Sequence, residues 1–380
     1  MVKSNTSVLG ILFPNSYDSL VPELVNVRLM ASIPFASRYR LIDFPLSSMT
    51  NCNINNISVV VNNNYHSLMD HLASGREWDL VRKNGGLNIF PPYAEKASKP
   101  YTGRVGALAS LLEFLVDQKE KYVAMADTNT VMNFDFKAML KFHMESGADV
   151  TVAYNQQEIP TGLLNSPATE QSYYYTFGIE NGQIKKIYVN SKESGVQNFS
   201  MNTFIVEREL LIDLINTAFV RGQEYFERDV LLPQLNRLNV QAYKYDGYIA
   251  RICDMKSYFD ENMRLLDDYN LDALFSGSPI YTKIRDDNPT RYISGAKIQN
   301  VMAADGCIIE GDVENSILFR GVKVAKGAKV KNCILMQDSV VEAGCNIEYL
   351  ITDKNVTISA GKEMKGTDTF PVYIGKLQTV

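Results

Sequence analysis

The feature that most constrains the fold is a repeat near the C-terminus, in which small or branched apolar residues recur every six positions. Leu318, Val324 and Val330 are six residues apart, and Ile334 and Val340 follow the same spacing. Three such hexads form a coil of about 18 residues that buries one inward residue per hexad, as in a left-handed parallel β-helix. The alternative is an antiparallel β-sandwich, but its turns would not recur so evenly.

Longer segments repeat in the same region. Glu314–Val324, Lys331–Val341 and Ile347–Thr357 are similar to one another at intervals of 17 and 16 residues. A further copy lies upstream at an offset of 15 residues, where Asn300 corresponds to Asn315. Because one coil cannot bury its own apolar face, the repeats predict a stack of coils in one domain.

The preceding part of the chain alternates apolar runs with amphipathic stretches. Apolar runs bounded by polar residues are typical of buried parallel strands, whereas apolar residues at i, i+3, i+4 and i+7 indicate helices. Their alternation predicts a doubly wound α/β domain, in which helices cover both faces of a mostly parallel sheet. The predicted strands are Ser7–Phe13, Ile57–Val61, Lys121–Asp127 and Asp149–Tyr154, and the predicted helices are Arg104–Lys119, Phe134–Met144 and Arg208–Phe219.

These patterns predict an α/β domain at residues 1–268, a polar linker at 269–292 and a β-helix at 293–380. The formal net charge of −5 excludes a general polyanion binder, so we expect no nucleic-acid partner. No apolar span approaches the roughly 20 residues of a membrane helix, so we expect no membrane partner. The five cysteines are scattered without a CxxC pair, which excludes a zinc ribbon and a disulfide framework and favours the cytoplasm.

Several motifs resemble those of sugar-nucleotide pyrophosphorylases, and most closely those of ADP-glucose pyrophosphorylases. Arg38–Ser48 (RYRLIDFPLSS) resembles the KFRIIDFALSN segment of that family, and Asn53–Val61 resembles the strand that follows it. Gly75–Trp78 and Ser200–Phe204 resemble its RGW and SMGIY motifs. The resemblance covers nearly the whole chain and implies a nucleotidyltransferase-like domain followed by a β-helix. Members of the family make ADP-glucose from ATP and glucose 1-phosphate, releasing pyrophosphate, as the committed step of glycogen synthesis.

The chain departs from the family pattern in the loop that binds the triphosphate. The family has a glycine-rich GGxGxRL loop there, because only glycine lets backbone N–H groups approach the phosphates closely. The corresponding positions here are Asn15, Ser16 and Asp18, with Leu20 in place of the arginine and Met30 in place of a nearby lysine. Since the carboxylate of Asp18 would repel a triphosphate, we interpret the segment as an ordinary loop in which Asp18 caps a helix.

The metal-binding positions also differ. The family holds Mg²⁺ between two aspartates, because hard cations prefer carboxylate oxygens. The resemblance places Asn129 and Arg251 at those positions, which predicts that this chain has no catalytic residue and no metal site. Asp127 and Asp254 are possible substitute ligands, but two residues along a strand span ~7 Å, too far for a metal–oxygen bond without a change of register.

Two further elements of the family are altered. The EKP motif on the sugar-phosphate side corresponds to residues 189–191 (VNS), and the GTADA element corresponds to residues 103–107 (GRVGA). Losses at five separate elements are not explained by an error of alignment. We therefore predict that the chain retains no substrate-binding residue of the active family.

Arg28, Arg38 and Arg40 lie in a segment where the family has arginine and lysine. Basic side chains there contribute to the binding of a sugar-phosphate activator in the family. Because arginine is suited to bidentate phosphate contacts, we predict that these three residues bind an effector. The alternative is a solvated basic edge near Asp43, since three arginines within 13 residues are unexceptional.

The three histidines are His66, His71 and His143. His66 and His71 are five residues apart in a helix-like stretch, which is poor spacing for one metal, so a solvated or core position is predicted for each. Trp78 is predicted to be a packed turn anchor. No histidine follows residue 143, so the β-helix lacks the histidine base typical of β-helix acyltransferases, and that activity is excluded.

Taken together, these motifs resemble the GlgD-type second subunit that some bacteria carry, a regulatory chain without catalytic activity of its own. Such a subunit would form a hetero-tetramer with a catalytic paralogue, or a homo-oligomer when alone, and could bind a sugar-phosphate effector. It would need no cofactor, whereas the active partner would bind Mg²⁺. The alternative is a weakly active glucose-1-phosphate adenylyltransferase that uses Asp127 and Asp254. Mg-dependent ATP binding distinguishes the two hypotheses.

Overall fold

The computed structural model describes residues 7–92, 103–165 and 173–380. Within these ranges, the main sheet has nine strands: β1 Val8–Phe13, β2 Asn56–Val60, β3 Gly86–Phe90, β4 Tyr122–Asp127, β5 Val150–Glu158, β6 Tyr175–Glu180, β7 Gln183–Val189, β8 Val196–Glu207 and β9 Val240–Lys244. Their order is β3-β2-β1-β4-β8-β5-β9-β7-β6. Strands β1 to β4 are parallel to one another, and β8 joins β4 in the antiparallel direction. The sheet is therefore mixed, with a parallel half that begins the chain.

Helices cover both faces of the sheet, as predicted. The helices in the described ranges are α1 Pro22–Val25, α2 Asp43–Asn51, α3 His66–Leu72, α4 Gly103–Ala109, α5 Leu112–Asp117, α6 Phe136–Glu145, α7 Thr161–Asn165, α8 Arg208–Val220, α9 Met255–Met263 and α10 Asp268–Phe275. Alternate residues of β4 belong to two separate cores: Val123 and Met125 pack with α4, α5 and α8, whereas Ala124 and Ala126 pack with α2, α3 and α6. No helix in the described ranges has both the length and the apolar character needed to cross a membrane.

One helix prediction and the predicted linker differ from the structure. The predicted helix Arg104–Lys119 is two helices, α4 and α5, because the Leu111 N–H bonds to the Leu108 carbonyl in a tighter turn. The turn keeps Leu108, Leu111 and Leu115 buried in one core. The predicted linker at 269–292 begins inside α10, where Leu274 is fully buried, and residues 276–290 then run without helix or strand.

The C-terminal repeats form the predicted parallel β-helix, whose coils stack through parallel strand pairs. Val324, Val341 and Ile358 stack in successive coils, and all three are buried. Its strands are Arg291–Tyr292, Ile298–Ala303, Ile308–Ile309, Asp312–Leu318, Lys323–Val324, Lys329–Lys331, Ile334–Leu335, Val340–Val341, Asn346–Glu348, Leu350–Thr352, Thr357–Ile358, Glu363–Lys365 and Val372–Ile374.

One repeat interval in the β-helix differs from the prediction. Lys331 pairs with Glu314 below it and with Glu348 above it, so both intervals are 17 residues and the predicted 16 is wrong. Successive side chains of a strand point to opposite faces. If one coil were shifted by one residue relative to the next, outward-facing charged side chains would stack on inward-facing apolar ones. The upstream offset of 15 is confirmed, and Asn300 Nδ2 donates to Asn315 Oδ1 at 2.9 Å.

The two domains share a hydrophobic core. Phe35, Tyr258 and Phe259 of the α/β domain pack in one cluster with Ile317 and Ile334 of the β-helix. This packing positions one wall of the β-helix against the segment that carries the predicted effector residues.

Candidate functional site

A cavity of about 210 Å³ lies at the carboxyl ends of β1, β2 and β4. Doubly wound sheets bind ligands at this edge, and the resemblance places the triphosphate loop there. The loop after β1 contributes Asn15, Ser16 and Asp18, and Arg104 and Asp127 also line the cavity. We call this cavity the nucleotide cleft, after the ligand expected from the resemblance.

The side chains of the loop bond to one another and to nearby backbone. The Met30 N–H donates to Asp18 Oδ1 at 2.6 Å, and Asn15 Nδ2 donates to Asp18 Oδ2 at 2.8 Å. Asn15 Oδ1 accepts the Asn62 N–H at 2.8 Å. Asp18 begins the 3₁₀ turn Asp18–Leu20 without capping it, so its predicted role as a helix cap is wrong. A phosphate in this loop would meet a carboxylate that already binds the Met30 N–H.

The other altered positions have structural roles. Leu20 and Met30 are buried in the core that the two domains share. On the sugar-phosphate side, Asn190 Oδ1 accepts the Tyr174 N–H at 3.0 Å, and the Tyr174 hydroxyl donates to the Ser191 carbonyl at 2.7 Å. These contacts make a neutral turn where the active family has charged side chains.

We expect Asp18 to make the folded protein less stable as the pH rises from about 4 to about 6. Burial raises the pKa of Asp18 to about 6, so the folded state binds this proton more tightly than the unfolded chain does. Asp18→Asn removes the titrating carboxyl group. As the pH rises between those values, the free energy of unfolding of the variant should increase by about 1–2 kcal/mol relative to that of the wild type. Urea unfolding of both proteins at pH 4.5 and 7.5 measures this gain. A stability difference that is the same at both pH values would contradict it.

Arg104, from the altered GTADA element, binds the two buried carboxylates of the nucleotide cleft. Its Nη2 donates to both oxygens of Asp127 at 2.9 Å, and its Nη1 donates to Glu227 Oε1 at 2.5 Å. The guanidinium also lies 5.1 Å and 5.0 Å from the ring centroids of Phe13 and Phe204. Burial lowers the pKa of Arg104, but the two carboxylates raise it more strongly, so it stays above its ordinary value. Arg104 therefore supplies a permanent cation inside the cleft.

The two positions that hold metal in the active family are adjacent here, but their side chains are unsuited to a metal. Arg251 pairs with Thr130 in a two-stranded ribbon, and the Ile252 N–H donates to the Asn129 carbonyl at 2.8 Å. The buried Arg251 guanidinium lies 4.1 Å from the centroid of the Phe199 ring. Burial lowers the pKa of Arg251 to about 10, which leaves the group cationic at neutral pH. A fixed cation at this position repels a divalent ion.

The possible substitute ligands bond to other groups. Both oxygens of Asp127 accept from Arg104, and Asp127 Oδ1 also accepts from Ser16 Oγ at 3.0 Å. Asp254 caps α9: its Oδ1 accepts the Ser257 N–H at 2.6 Å, and Ser257 Oγ accepts the Asp254 N–H at 2.9 Å. In the part of the chain that the structure describes, no three His, Cys, Asp or Glu side chains are grouped to hold a metal ion. The residues present do not fit the Mg²⁺ site that the resemblance implies.

A second cavity, of about 450 Å³, lies between the α/β domain and the β-helix, and we call it the basic cleft. Arg38 and Arg40 line it, and Asp70 is the one acidic side chain among the described residues that do so. Arg38 is exposed, whereas Arg40 Nη1 donates to the Ser67 carbonyl at 2.6 Å. Sequence reasoning missed the basic residues that later segments contribute, because they share no motif with the arginine segment. These residues are Lys283, Arg285, Arg320, Lys354 and Lys376.

Arg28, the third predicted effector residue, lies apart from the other two. It is 2% exposed and does not line the basic cleft. Its Nη2 donates to Asp353 Oδ1 at 2.6 Å, and the Tyr373 hydroxyl donates to Asp353 Oδ2 at 2.8 Å. Arg28 therefore joins the α/β domain to the β-helix through a buried ion pair, and the structure brings together only Arg38 and Arg40.

The histidines and the tryptophan occupy solvated or packed positions, as predicted. His66 is exposed at the rim of the basic cleft. His71 is buried with its Nε2 2.6 Å from Asp43 Oδ1, and burial lowers its pKa. Trp78 is 2% exposed and packs edge-on against His71, with 5.8 Å between ring centroids. His143 is also buried, and its Nδ1 lies 2.8 Å from Thr151 Oγ1.

Comparison with known proteins finds a matching family for each of the two domains. Residues 26–163 match the nucleotidyl transferase family, and residues 284–369 match the GlmU-like C-terminal hexapeptide family. The glycogen biosynthesis protein GlgD of Bacillus subtilis is 33% identical over 374 residues, which cover 98% of this chain and 96% of the relative. GlgD of Geobacillus stearothermophilus is 36% identical over 333 residues, which cover 86% and 83%.

Proteins named glucose-1-phosphate adenylyltransferase are also among the relatives, at lower identity. A glucose-1-phosphate adenylyltransferase of Bacillus mycoides is 29% identical over 343 residues, which cover 87% of each chain. The identity to the GlgD proteins is higher and extends through the α/β domain and the β-helix. The chain belongs to the GlgD family of glycogen biosynthesis proteins, which is related to the glucose-1-phosphate adenylyltransferases.

Proposed function

We propose that this protein is a catalytically degenerate, regulatory subunit of ADP-glucose pyrophosphorylase, which assembles with an active paralogue in the cytoplasm. The observation that carries the proposal is the ion-pair network of Arg104 with Asp127 and Glu227. In it, Arg104 binds both oxygens of Asp127, the possible substitute ligand for a metal, while Asp18 and Arg251 oppose phosphate and metal respectively. The active partner would bind Mg²⁺, and this chain would need no cofactor.

The contacts of the two aspartates argue against the alternative of a weakly active adenylyltransferase. Asp127 would have to break two bonds with Arg104 and one with Ser16 before it could bind a metal. Asp254 would have to give up its cap on α9, which typically contributes about 1 kcal/mol. Neither change is compensated by another carboxylate among the described residues that line the nucleotide cleft. Glu227 is itself paired with Arg104, and Asp18 accepts from the Met30 N–H and from Asn15 Nδ2.

The basic cleft supports the regulatory part of the proposal. Arg38 and Arg40 face it together with five basic residues from later segments, against one aspartate. Such an excess of positive charge in a concave site favours the binding of a small phosphorylated anion. One guanidinium group can donate two parallel hydrogen bonds to two oxygens of the same phosphate. We propose that a sugar phosphate binds there as an effector. Because the cleft lies between two domains, the ligand would act on their relative arrangement.

We expect a mixture of this protein with its catalytic paralogue to form a hetero-oligomer, with a hetero-tetramer as the proposed state. The complex should have a higher maximal rate or an altered effector response, since coupling between subunits is typically worth about 1–3 kcal/mol, or about 5–150-fold. Size-exclusion chromatography and ADP-glucose synthesis assays, with and without sugar phosphates, measure both properties. Separate elution and unchanged partner kinetics would contradict the proposal.

Arg38→Gln is the variant that tests whether the effector binds in the basic cleft. Arg38 is exposed and forms no ion pair with any residue that the structure describes, so the substitution should leave folding and assembly intact. The hetero-oligomer should still form, but its response to sugar phosphate should weaken. An unchanged response would place the effector elsewhere.

A further inference from the structure

Lys354 is one of the five basic residues of the basic cleft that sequence reasoning missed. It follows Asp353 on the β-helix, and its side chain lines the cleft, where most of it is removed from solvent. Asp353 compensates this charge only in part, because its oxygens also accept from Arg28, from Tyr373 and from the Lys354 backbone N–H. Lys354 Nζ forms no ion pair with any of the described residues.

The groups that face Lys354 from the surrounding elements are mostly cationic. Arg28 and Arg40 approach from the α/β domain, and Lys376 approaches from the last part of the β-helix. His71 also lies near, but burial lowers its pKa and Asp43 binds its ring nitrogen, so it carries no charge at neutral pH. Of these neighbours, Asp353 is the acidic group that favours the charged lysine. An ammonium ion at this position is therefore opposed by burial and by three neighbouring cations.

The consequence for the free protein is a lysine that titrates near neutrality. Burial, and then the positive charges of Arg40 and Arg28, lower the pKa of Lys354 to about 7. At pH 8.5 the amine is mostly neutral, whereas at pH 6 it is mostly protonated. Because a neutral amine contributes no charge to an anion site, the state of this residue changes what the basic cleft can bind.

We propose that Lys354 links protonation to anion binding in the basic cleft, so that a bound oxyanion brings a proton onto Lys354 Nζ and the site binds more tightly as the pH falls. The inference rests on the proposed effector site and adds its regulation. No covalent bond changes: the proton comes from solvent, and the anion supplies the negative charge that the free cleft lacks. By linkage, whatever stabilises the protonated lysine must bind better when the lysine is protonated.

Sulfate is a suitable probe, because it stays a dianion throughout the relevant pH range and does not add its own titration. We expect the affinity of the full chain for sulfate to be roughly tenfold higher at pH 6.5 than at pH 8.5, as measured by isothermal titration calorimetry. At pH 7.5, titrations in two buffers with different heats of ionisation should report the uptake of a fraction of a proton per bound sulfate.

Three variants assign the effect. Lys354→Arg keeps a cation that does not titrate in this range, so its sulfate affinity should be nearly the same at pH 6.5 and 8.5. Lys354→Met should bind sulfate weakly at both pH values. His66→Gln, which removes the exposed imidazole at the rim, should keep the pH dependence of the wild type. Thermal unfolding of each variant checks that it folds.

The outcomes separate this inference from the proposed function. Sulfate binding that is independent of pH in the wild type, or a pH dependence that persists in Lys354→Arg or disappears in His66→Gln, would overturn the role of Lys354 while leaving the effector site intact. Absence of sulfate binding at both pH values would overturn the effector site, and this inference with it.

Discussion

The isolated protein is expected to make ADP-glucose many orders of magnitude more slowly than the adenylyltransferases to which it is related. A metal ion that stabilises the adenylyl group during its transfer is worth several kcal/mol, and each 1.36 kcal/mol changes the rate about tenfold. Here Asp127 is bound to Arg104, and Arg251 occupies a position that needs a carboxylate. A pyrophosphate-release assay with ATP, glucose 1-phosphate and Mg²⁺ measures the rate. A turnover above about 1 s⁻¹, which is within the usual range of enzymes, would contradict the prediction.

Asn129→Asp serves as the matched variant of this experiment. It restores one expected carboxylate, but Asp18, Met30, Arg104 and Arg251 remain, and residues of a catalytic site act as a unit. We therefore expect no gain of activity from the single substitution. The reverse substitution, aspartate to asparagine at the equivalent position of an active relative, should abolish that enzyme's activity. Near-family activity in Asn129→Asp would mean that the remaining four positions matter little.

Replacing Arg104 by methionine is expected to destabilise the protein by about 3–5 kcal/mol, because removing one partner of a buried ion pair leaves the other charge uncompensated. Here two carboxylates lose their partner at once: the side chains of Asp127 and Glu227 are 2% and 4% exposed. Burial already raises the pKa of Glu227, and the loss of Arg104 should raise it further. Urea unfolding at pH 7 measures the change in the free energy of unfolding.

Two controls test whether the loss arises from the buried carboxylates. The triple variant Arg104→Met, Asp127→Asn, Glu227→Gln removes the uncompensated charges and should recover part of the lost stability. Lys256→Met removes an exposed i,i+4 pair with Asp260 and should change stability by less than about 1 kcal/mol. An Arg104→Met loss no larger than that of Lys256→Met would show that the network is dispensable.

The periodic features of the sequence were sufficient to predict both domains. The six-residue spacing predicts the coils because each inward residue must stack on its equivalent in the next coil, as Val324, Val341 and Ile358 do. The apolar runs predict β1 and β4 because strands buried on both faces need apolar residues at every position. One helix boundary and one register were predicted wrongly, since the break between α4 and α5 and the second interval of 17 depend on packing with neighbouring elements.

Motif comparison also predicted where the altered site would lie. Asn129 and Arg251 are 122 residues apart in the chain, and the structure brings them close together, because Arg251 pairs with Thr130 and the Ile252 N–H donates to the Asn129 carbonyl. The contact between Arg104 and Asp127 was not predicted, because residue types at aligned positions do not show which side chains bind one another in the folded chain. The same is true of Asp18, which local pattern predicts as a cap and which instead binds the N–H of Met30.

The sequence by itself determined the two folds, the loss of the family's glycine and aspartate positions, and the retention of Arg38 and Arg40. Only the tertiary structure decided which charges meet. Arg104 and Asp127 are 23 positions apart, and Arg28 and Asp353 are 325 positions apart. Electrostatic attraction depends on distance through space and on burial, neither of which follows from position in the chain. Sequence reasoning therefore grouped Arg28 with Arg38 and Arg40, whereas folding buries Arg28 against the β-helix and brings Lys354 into the cleft.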